Sequence, residues 1–342
     1  MPRESSAARP LVSVIIVNFN GKEFLGPCLA SIFAQSYRPF DVIVVDNGST
    51  DGSLQLALRE FPEVRVIANP GNKGFAEANN QGTRIAGSDL VVLLNNDTVV
   101  KDGWIEGLLD GLAAPGVAVV TSKVITEGVP SRFYAMNGTI NFLGYNIMRH
   151  FTDTSMVFFG GGASLAFRKN VVGEPFLSEY FLYHEDVYLS WRMRLRGNDV
   201  RMAPTSIVYH LGSASTKRQP SAIVTFYQER NRLLNALLLY GPRTLAKLFP
   251  YFVSDGIAKT AAAILGRGKS LRGILRAYWW IFAHVGWVHR QRRVEQAWRA
   301  VDDTAILSLM SPNVLDGEGT VARFANRISL SYARGTGLLR HG

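Results

Sequence analysis

The sequence predicts an α/β fold, in which a mostly parallel β-sheet is flanked by helices and followed by a mainly helical C-terminal region. Within the first hundred residues, continuous apolar runs of strand length alternate with segments of helical spacing. Strands that are buried on both faces have such sequences, so helices are expected on both sides of the sheet. After residue 220, helical spacing dominates and arginine becomes frequent. The expected units are a polar tail over 1–10, an α/β domain over 11–220, a helical region over 221–310 and a polar, loosely ordered tail over 311–342.

The N-terminal part supplies the elements of this sheet in order. Four buried strands are predicted at residues 12–17, 42–45, 64–67 and 90–94. Helical spacing predicts helices at residues 25–32, 53–59 and 75–85 between them. Asn18, Asp46 and Asp97 follow three of the strands. Ligands of such sheets bind beyond the carboxyl ends of the strands, so these side chains are expected to lie together at a binding crevice.

Later segments are more mixed. Further strands are predicted at 117–120 and 164–167, and a helix at 186–196. Residues 271–285 place apolar side chains at helical spacing, forming one apolar stripe with arginines and tryptophans nearby. Such a stripe packs against the main domain or a second subunit, or lies in the headgroup layer of an anionic membrane.

Composition limits the partners and the compartment. The 342 residues carry a net charge of +10, which favours anionic partners such as phosphorylated substrates or an anionic membrane. No nucleic-acid-binding motif accompanies the basic residues, so nucleic acid is not expected. The single cysteine, Cys28, is interpreted as a small buried hydrophobic residue. Without a signal-peptide pattern or 18 uninterrupted apolar residues, a cytoplasmic protein is expected, at most peripheral on the inner face of the plasma membrane.

Three motifs carry candidate chemistry. Asp97 ends the run NND over 95–97, and a single carboxylate there suits a divalent cation on a diphosphate. The run VDNGSTD over 45–51 offers Asp46 to a uracil, a thymine or a ribose, although a turn followed by a helix cap explains it equally. The glycine-punctuated loop 69–80 enters a helix whose N-terminus faces an anion on one interpretation, with Lys73 adding charge or remaining solvated.

Together these runs resemble the family 2 glycosyltransferases, and in particular bacterial rhamnosyltransferase-like enzymes of cell-surface polysaccharide assembly. The resemblance rests on VIIVNFNG at 14–21, VDNGSTD at 45–51, NKGF at 72–75 and NND at 95–97, within roughly residues 10 to 240. It implies a GT-A fold, a nucleotide-diphosphate-sugar donor and inversion at the anomeric carbon. The processive-synthase signature Gln-x-x-Arg-Trp is absent, which favours addition of one or a few sugars.

The resemblance also implies the donor site. The run 95–97 occupies the family's Asp-x-Asp position with asparagine in place of the first aspartate. Asp97 would bind Mg²⁺ or Mn²⁺, and Asn95 would hydrogen-bond the ribose. His210, in VYHLGSAS over 208–215, would contact the metal or the pyrophosphate. The implied nucleotide-sugar contacts are Asn18, Asp46, Asp51, Lys73, Asn95 and Asn96.

On the acceptor side, YHEDVYLSWR over 183–192 resembles the family's Glu-Asp motif. Asp186 would be the general base, with its pKa raised by repulsion from Glu185 and by burial. The plain alternative is that both carboxylates favour a helix N-terminus. The acceptor contacts implied by position are Gly161, Gly162, His184 and Trp191. In YQERNR over 227–232, Arg230 pairs with a phosphate or an acidic neighbour, or forms a structural salt bridge.

The function expected from this resemblance is transfer of a sugar to a hydroxyl of a glycan or a polyprenyl-diphosphate-linked acceptor. dTDP-rhamnose is the preferred donor, with UDP-hexoses or UDP-galactofuranose behind it. The alternative is a catalytically silent sugar-nucleotide or glycan-binding module, since the first aspartate of the Asp-x-Asp site is replaced. A homo-oligomer is compatible with the sequence.

Overall fold

The computed structural model describes residues 9–126, 138–147, 157–211, 221–314 and 319–338. Within these residues, eight strands form one sheet in the order β3-β2-β1-β4-β9-β6-β10-β5. Their bounds are β1 Val12–Asn18, β2 Phe40–Asp46, β3 Arg65–Ala68, β4 Leu90–Asn95, β5 Thr98–Val100, β6 Val117–Thr126, β9 Ser164–Arg168 and β10 Asp199–His210. A separate hairpin pairs β7 Thr139–Ile140 with β8 Asn146–Ile147. Strands β9 and β5 run against the others, so the predicted mostly parallel sheet is confirmed.

Helices cover both faces of this sheet. In the α/β part they are α1 Lys22–Phe33, α2 Ser53–Glu60, α3 Gly74–Ile85, α4 Trp104–Ala113, α5 Lys169–Val172 and α6 Glu185–Leu195. Along β1, Val14 and Ile16 join the core beneath α1, α2 and α4, whereas Ile15 joins the core beneath α3 and α6. Alternate side chains of a strand point to opposite faces, so a wholly apolar strand serves two cores at once.

The C-terminal region is helical, as predicted. It contains α7 Ser221–Leu239, α8 Pro242–Ile264, α9 Leu271–Ala283, α10 Val285–Ala297, α11 Asp303–Leu307 and α12 Thr320–Gly335. Helix α7 packs closely against α9 and α10. No helix among the described residues is long and apolar enough to cross a membrane.

The apolar stripe over 271–285 is divided between two helices, because His284 has non-helical backbone angles between α9 and α10. One expectation about this region was wrong. Residues 320–335 are not a loosely ordered tail but helix α12, which is anchored to α8. The Tyr251 hydroxyl donates to the Ser329 carbonyl over 2.8 Å, and the Tyr332 hydroxyl to the Lys247 carbonyl over 3.0 Å. Its polar composition concealed these contacts with a distant helix.

Candidate active site

The parallel register brings the polar strand ends together. Asn18 lies directly opposite Asp46 at the ends of β1 and β2, and Val17 opposite Asn95 at the end of β4. The Asn18 amide donates to Asp46 Oδ1 over 2.9 Å and accepts from the Asn96 amide over 2.8 Å. A Cβ on Gly21 would lie only 2.2 Å from Asn96 Nδ2, so a glycine is needed beside this network. Asn18, Asp46 and the 95–97 turn therefore lie together, as expected, because the strands that carry them end side by side.

Asp46 and Asp51 both hold the loop after β2. Asp46 is buried, and its Oδ2 accepts from the Ser49 amide over 2.9 Å. Asp51 accepts from the Lys22 amide over 2.8 Å and from the Ser53 hydroxyl over 2.6 Å. Burial acts to raise the pKa of Asp51, but the hydrogen bonds from Ser53 and Lys22 outweigh it and lower that pKa. These carboxylates brace the loop, and neither lines the pocket described below.

Asp97 meets His210 at the far end of the sheet. Strand β10 pairs with β5, which sets His210 opposite Thr98. His210 Nε2 lies 3.3 Å from Asp97 Oδ1, and both side chains are buried. His210 Nδ1 and Asn95 Oδ1 are buried without a hydrogen-bond partner among the described residues. Residues 212–215 of the motif that contains His210 lie outside the described residues.

The loop before α6 forms the opposite wall. Phe181, Tyr183 and His184 all have positive φ angles, of 61°, 70° and 64°. Such backbone costs on the order of 1–3 kcal/mol per residue and persists only where the surroundings enforce it. Helix α7 supplies that enforcement: the buried Asn231 amide donates to the carbonyls of Tyr180, Leu182 and Tyr183 over 2.9, 2.9 and 2.7 Å.

Arg230 supports the same loop. Its guanidinium donates to the Glu179 and Tyr180 carbonyls and, over 2.9 Å, to Asn231 Oδ1. None of these partners is a carboxylate, so Arg230 forms neither the ion pair with an acidic neighbour nor the structural salt bridge among the described residues. Its pairing with a phosphate stays a prediction. Arg230 is a loop-positioning residue.

The N-terminus of α3 is occupied. The Phe75 and Ala76 amides both donate to the Phe181 carbonyl, over 2.6 and 3.3 Å, and the Gly74 amide donates to Asn72 Oδ1 over 2.8 Å. Gly74 has φ +85°, and a Cβ there would lie 2.5 Å from the Phe181 ring. The interpretation of this N-terminus as an anion site is therefore wrong, because its free amides are already taken. Lys73 is exposed and lies outside the pocket lining.

Glu185 and Asp186 open helix α6 from that loop. Asp186 accepts from the Gly162 amide over 3.0 Å and from the Val187 amide over 2.7 Å. Burial raises the pKa of Asp186 to about 6, and these backbone donors limit the rise. Glu185 Oε2 is buried without a partner among the described residues, and burial followed by repulsion from Asp186 raises the pKa of Glu185 to about 8. Burial thus raises the pKa of both carboxyl groups, and the two titrate as a coupled pair.

This corrects one detail of the sequence interpretation. Repulsion from Glu185 and burial were both expected to raise the pKa of Asp186. Burial does raise it, whereas the repulsion raises the pKa of Glu185. Burial, followed by the charges of Arg232 and Lys269, also lowers the pKa of the neighbouring His184 to about 3. A neutral imidazole at pH 7 follows.

These groups face one pocket of about 330 Å³. Its predicted members are Asn95, Asn96, Asp97, Gly162, His184, Glu185, Asp186 and His210. Sequence reasoning missed the aromatic and polar wall of Phe19, Asn47, Asn72, Phe75, Phe181, Leu182 and Tyr183. The aromatic run just before Glu185 was the one signal for part of it.

Two expected acceptor contacts are not brought to the pocket. Trp191 is fully buried in the core, where its ring packs edge-on against Tyr240 at 4.6 Å. The expectation that Trp191 contacts an acceptor is therefore wrong. Gly161 is buried beside the pocket but is not part of its lining, whereas Gly162 donates its amide to Asp186.

Two relatives of known name are similar to part of the chain. A "Glycosyltransferase GlyG" of Streptococcus pneumoniae is 32% identical over 101 residues, which cover 29% of this chain and 34% of that protein. An N-acetylglucosaminyl-diphospho-decaprenol L-rhamnosyltransferase of Mycobacterium tuberculosis is 28% identical over 244 residues, covering 62% of this chain and 80% of that protein. The aligned part thus spans about a third of the first relative.

Solved structures share the fold. The mannosyltransferase PcManGT of Pyrobaculum calidifontis, in complex with GDP-Man and Mn²⁺, superposes with a TM-score of 0.50 at 17% identity, over 96% of this chain and 86% of that one. GalNAc-T7, crystallised with UDP, GalNAc and Mn²⁺, superposes with a TM-score of 0.56 at 14% identity, over 70% of this chain and 50% of that one. At these identities the likeness concerns the GT-A fold alone. Residues 13–174, just under half of the chain, match the family model Glycosyl transferase family 2, and the sheet that contains them has the GT-A fold.

Proposed function

We propose that this protein is an inverting glycosyltransferase that moves a sugar from a nucleotide diphosphate to a hydroxyl of a glycan or lipid-linked acceptor. One observation carries the proposal: Asp97 and His210, which suit a donor diphosphate, line the same pocket as the carboxylate pair Glu185 and Asp186. A cation-and-phosphate site beside a base of raised pKa is what direct displacement at a sugar carbon requires.

In the proposed reaction, the acceptor hydroxyl oxygen attacks the anomeric carbon from the side opposite the diphosphate. The new carbon–oxygen bond forms as the bond to the diphosphate oxygen breaks, and the nucleoside diphosphate leaves with that electron pair. The hydroxyl proton passes to the Asp186 carboxylate. Asp186 is suited to this because its two oxygens are oriented by the Gly162 and Val187 amides, and because burial raises its pKa.

A divalent cation fits the donor end of the pocket. Asp97 offers a carboxylate and His210 an imidazole 3.3 Å away, and Asn95 Oδ1 is a buried acceptor beside them. Mg²⁺ accepts one or two carboxylates together with phosphate and water oxygens, and imidazole suits transition metals. Mn²⁺ or Mg²⁺ held there would neutralise the charge of the departing diphosphate. No group of three or more His, Cys, Asp or Glu side chains forms a fuller site within the described ranges.

The donor proposed first is dTDP-rhamnose, followed by a UDP-hexose or UDP-galactofuranose. The similarity to an L-rhamnosyltransferase acting on a diphospho-decaprenol supports both a rhamnose donor and a polyprenyl-diphosphate-linked acceptor in cell-envelope polysaccharide synthesis. A peripheral position on the inner face of the plasma membrane belongs to the same proposal, because a lipid-linked acceptor is presented there.

The test is a donor screen with the purified full chain. Transfer to a polyprenyl-diphosphate-linked sugar is measured for dTDP-rhamnose, UDP-glucose, UDP-galactose and UDP-galactofuranose, each with Mn²⁺, Mg²⁺ or EDTA. We expect product of inverted configuration with one donor, and its loss in EDTA. Calorimetry with the same donors distinguishes an active transferase from a protein that only binds the donor. Tight donor binding with no product from any donor and acceptor would support a catalytically silent sugar-nucleotide-binding module. The observation that favours this alternative is Asn95, which stands in place of the first aspartate of the Asp-x-Asp site.

A further inference from the structure

Helices α8 and α9 display an apolar outer face. On α9, Leu275, Trp279 and Phe282 recur at helical spacing and point to solvent, with Trp279 67% and Phe282 71% exposed. On α8 and just beyond it the exposed apolar side chains are Phe249, Val253, Ile257, Ile264 and Leu265. We call these side chains, together with Val285, the outer face.

The outer face is not needed to hold the helices in place. The opposite side of α9 already packs into the protein, through the fully buried Ile274 and Ala277. A surface helix of a globular protein normally carries polar side chains on its outward face. Contiguous exposed apolar surface of this kind marks an interaction site.

The two helices lie side by side. They approach closely, since a Cβ on Gly256 of α8 would lie 3.2 Å from the Tyr278 hydroxyl of α9. A groove of about 570 Å³ runs along α8, lined mainly by apolar side chains that include Val253, Ile257 and Ile264. Helix α7 contributes Arg232 and Leu233 to its lining, and α9 contributes Tyr278. Part of the outer face is thus a furrow that can receive hydrocarbon.

Positive charge surrounds the outer face. Residues 242–299 contain eleven lysines and arginines but only two acidic residues, Asp255 and Glu295. Both acidic side chains turn inward: Asp255 pairs with Arg232 and Lys259, and buried Glu295 accepts from the Tyr188 hydroxyl. The exposed members of the basic set include Arg267, Arg272, Arg276, Arg290 and Arg293. Most of the net charge of the chain therefore lies in this region.

We propose that the outer face docks the protein on a membrane that contains anionic lipid. Its aromatic and aliphatic side chains would lie at the boundary of headgroups and acyl chains, and the arginines against lipid phosphates. A second copy of the chain fits less well. In a two-fold dimer the patch meets itself, which would set arginines against arginines. The inference rests on the proposed function in one respect: docking would give the protein access to a lipid-linked acceptor.

The test is co-sedimentation of the full chain with vesicles of phosphatidylcholine alone or with about one-third phosphatidylglycerol. We expect binding to the anionic vesicles, weakened at about 0.5 M salt, where charges are screened within a few ångströms. Trp279→Ser with Phe282→Ser should reduce the partition coefficient by about tenfold or more, since tenfold equals roughly 1.4 kcal/mol. Arg272→Gln with Arg276→Gln should reduce it by about fivefold per arginine.

Matched controls come from the α/β domain. Leu58 and Val171 are exposed apolar side chains there, 49% and 41% exposed, and Arg59 is an exposed arginine. Leu58→Ser with Val171→Ser, and Arg59→Gln, should bind vesicles as the wild type does. The variant Asp186→Asn should also bind fully, so a failure of catalysis is distinguished from a failure of docking.

Three results would overturn the proposal. The first is wild-type protein that binds neither kind of vesicle. The second is vesicle binding that falls as much in the α/β-domain controls as in the outer-face variants. The third is a dimer by light scattering that Trp279→Ser with Phe282→Ser dissociates, without any vesicle binding. That result would assign the outer face to a second copy of the chain.

Discussion

Replacing Asn231 should reduce activity, although its helix, α7, does not line the pocket. The Asn231 amide donates to three carbonyls of the segment 180–183, and its side chain is fully buried. In Asn231→Ala these carbonyls lose that donor, although Arg230 still reaches the Tyr180 carbonyl over 3.1 Å. A buried acceptor left without its donor costs about 1–3 kcal/mol, so the loss for the remaining two carbonyls is about 2–6 kcal/mol.

That loss is comparable to the backbone strain in the loop. Phe181, Tyr183 and His184 have positive φ angles, each costing on the order of 1–3 kcal/mol. Without the Asn231 donor, we expect the loop to relax toward ordinary backbone and to displace Glu185 and Asp186. The expected result is a fall in kcat/KM for transfer of at least about tenfold, equal to roughly 1.4 kcal/mol of transition-state stabilisation. Asn231→Asp should be at least as damaging, because it sets carboxylate oxygens against carbonyl oxygens.

The matched control is Asn141→Ala. Asn141 is also fully buried, and its Oδ1 accepts from the Leu143 and Tyr145 amides in the β7–β8 turn. Chemical denaturation should show a similar loss of stability in both alanine variants, while only Asn231→Ala loses activity. If both variants keep kcat/KM within twofold of the wild type at equal destabilisation, the loop does not depend on Asn231 and the reasoning is refuted.

Four further predictions concern the pocket itself. Since the base must be ionised, kcat/KM should rise with pH through about 6, the pKa of Asp186, and a flat profile from pH 5 to 8 would contradict this. Folding raises the pKa of Glu185, so the free energy of unfolding of the wild type falls as pH rises toward 8. Glu185→Gln lacks this titration. In urea denaturation, the unfolding free energy of Glu185→Gln minus that of the wild type should therefore be larger at pH 8.5 than at pH 5. Gly74→Ala should destabilise the protein and reduce activity, because its Cβ would meet Phe181, whereas Gly103→Ala, at φ +77° with open space, controls for backbone strain alone. In Asp97→Ala, the increase in Tm produced by Mn²⁺ with a nucleotide diphosphate should disappear.

The sheet could be predicted because its strands are buried on both faces. That burial requires continuous apolar runs, and β1, β2 and β4 appear in the sequence as such runs. The shorter or more polar strands β5 and β10 escaped prediction. Strand β10 carries exposed and polar residues along its length, and its pairing with β5 joins residues about a hundred positions apart.

The position of a site residue could be predicted where that residue lies at the end of a strand. Asn18, Asp46 and Asn95 meet because adjacent parallel strands end together. Trp191 could not be placed this way: α6 is buried almost all round, so helical periodicity gives it no outward side. Nor does the sequence announce the left-handed backbone of Phe181 to His184, which depends on a tether from Asn231 about fifty residues later.

The central claim is that Asp186 removes the acceptor proton, and it is tested most directly by Asp186→Asn. Asparagine has nearly the same shape and can still accept a backbone hydrogen bond, but it cannot take up the proton. The measurement is single-turnover transfer with the donor found in the screen, alongside the Kd for that donor. We expect transfer to fall by roughly 10²–10⁴-fold with an unchanged Kd. Transfer within tenfold of the wild type would contradict the assignment of Asp186 as the base.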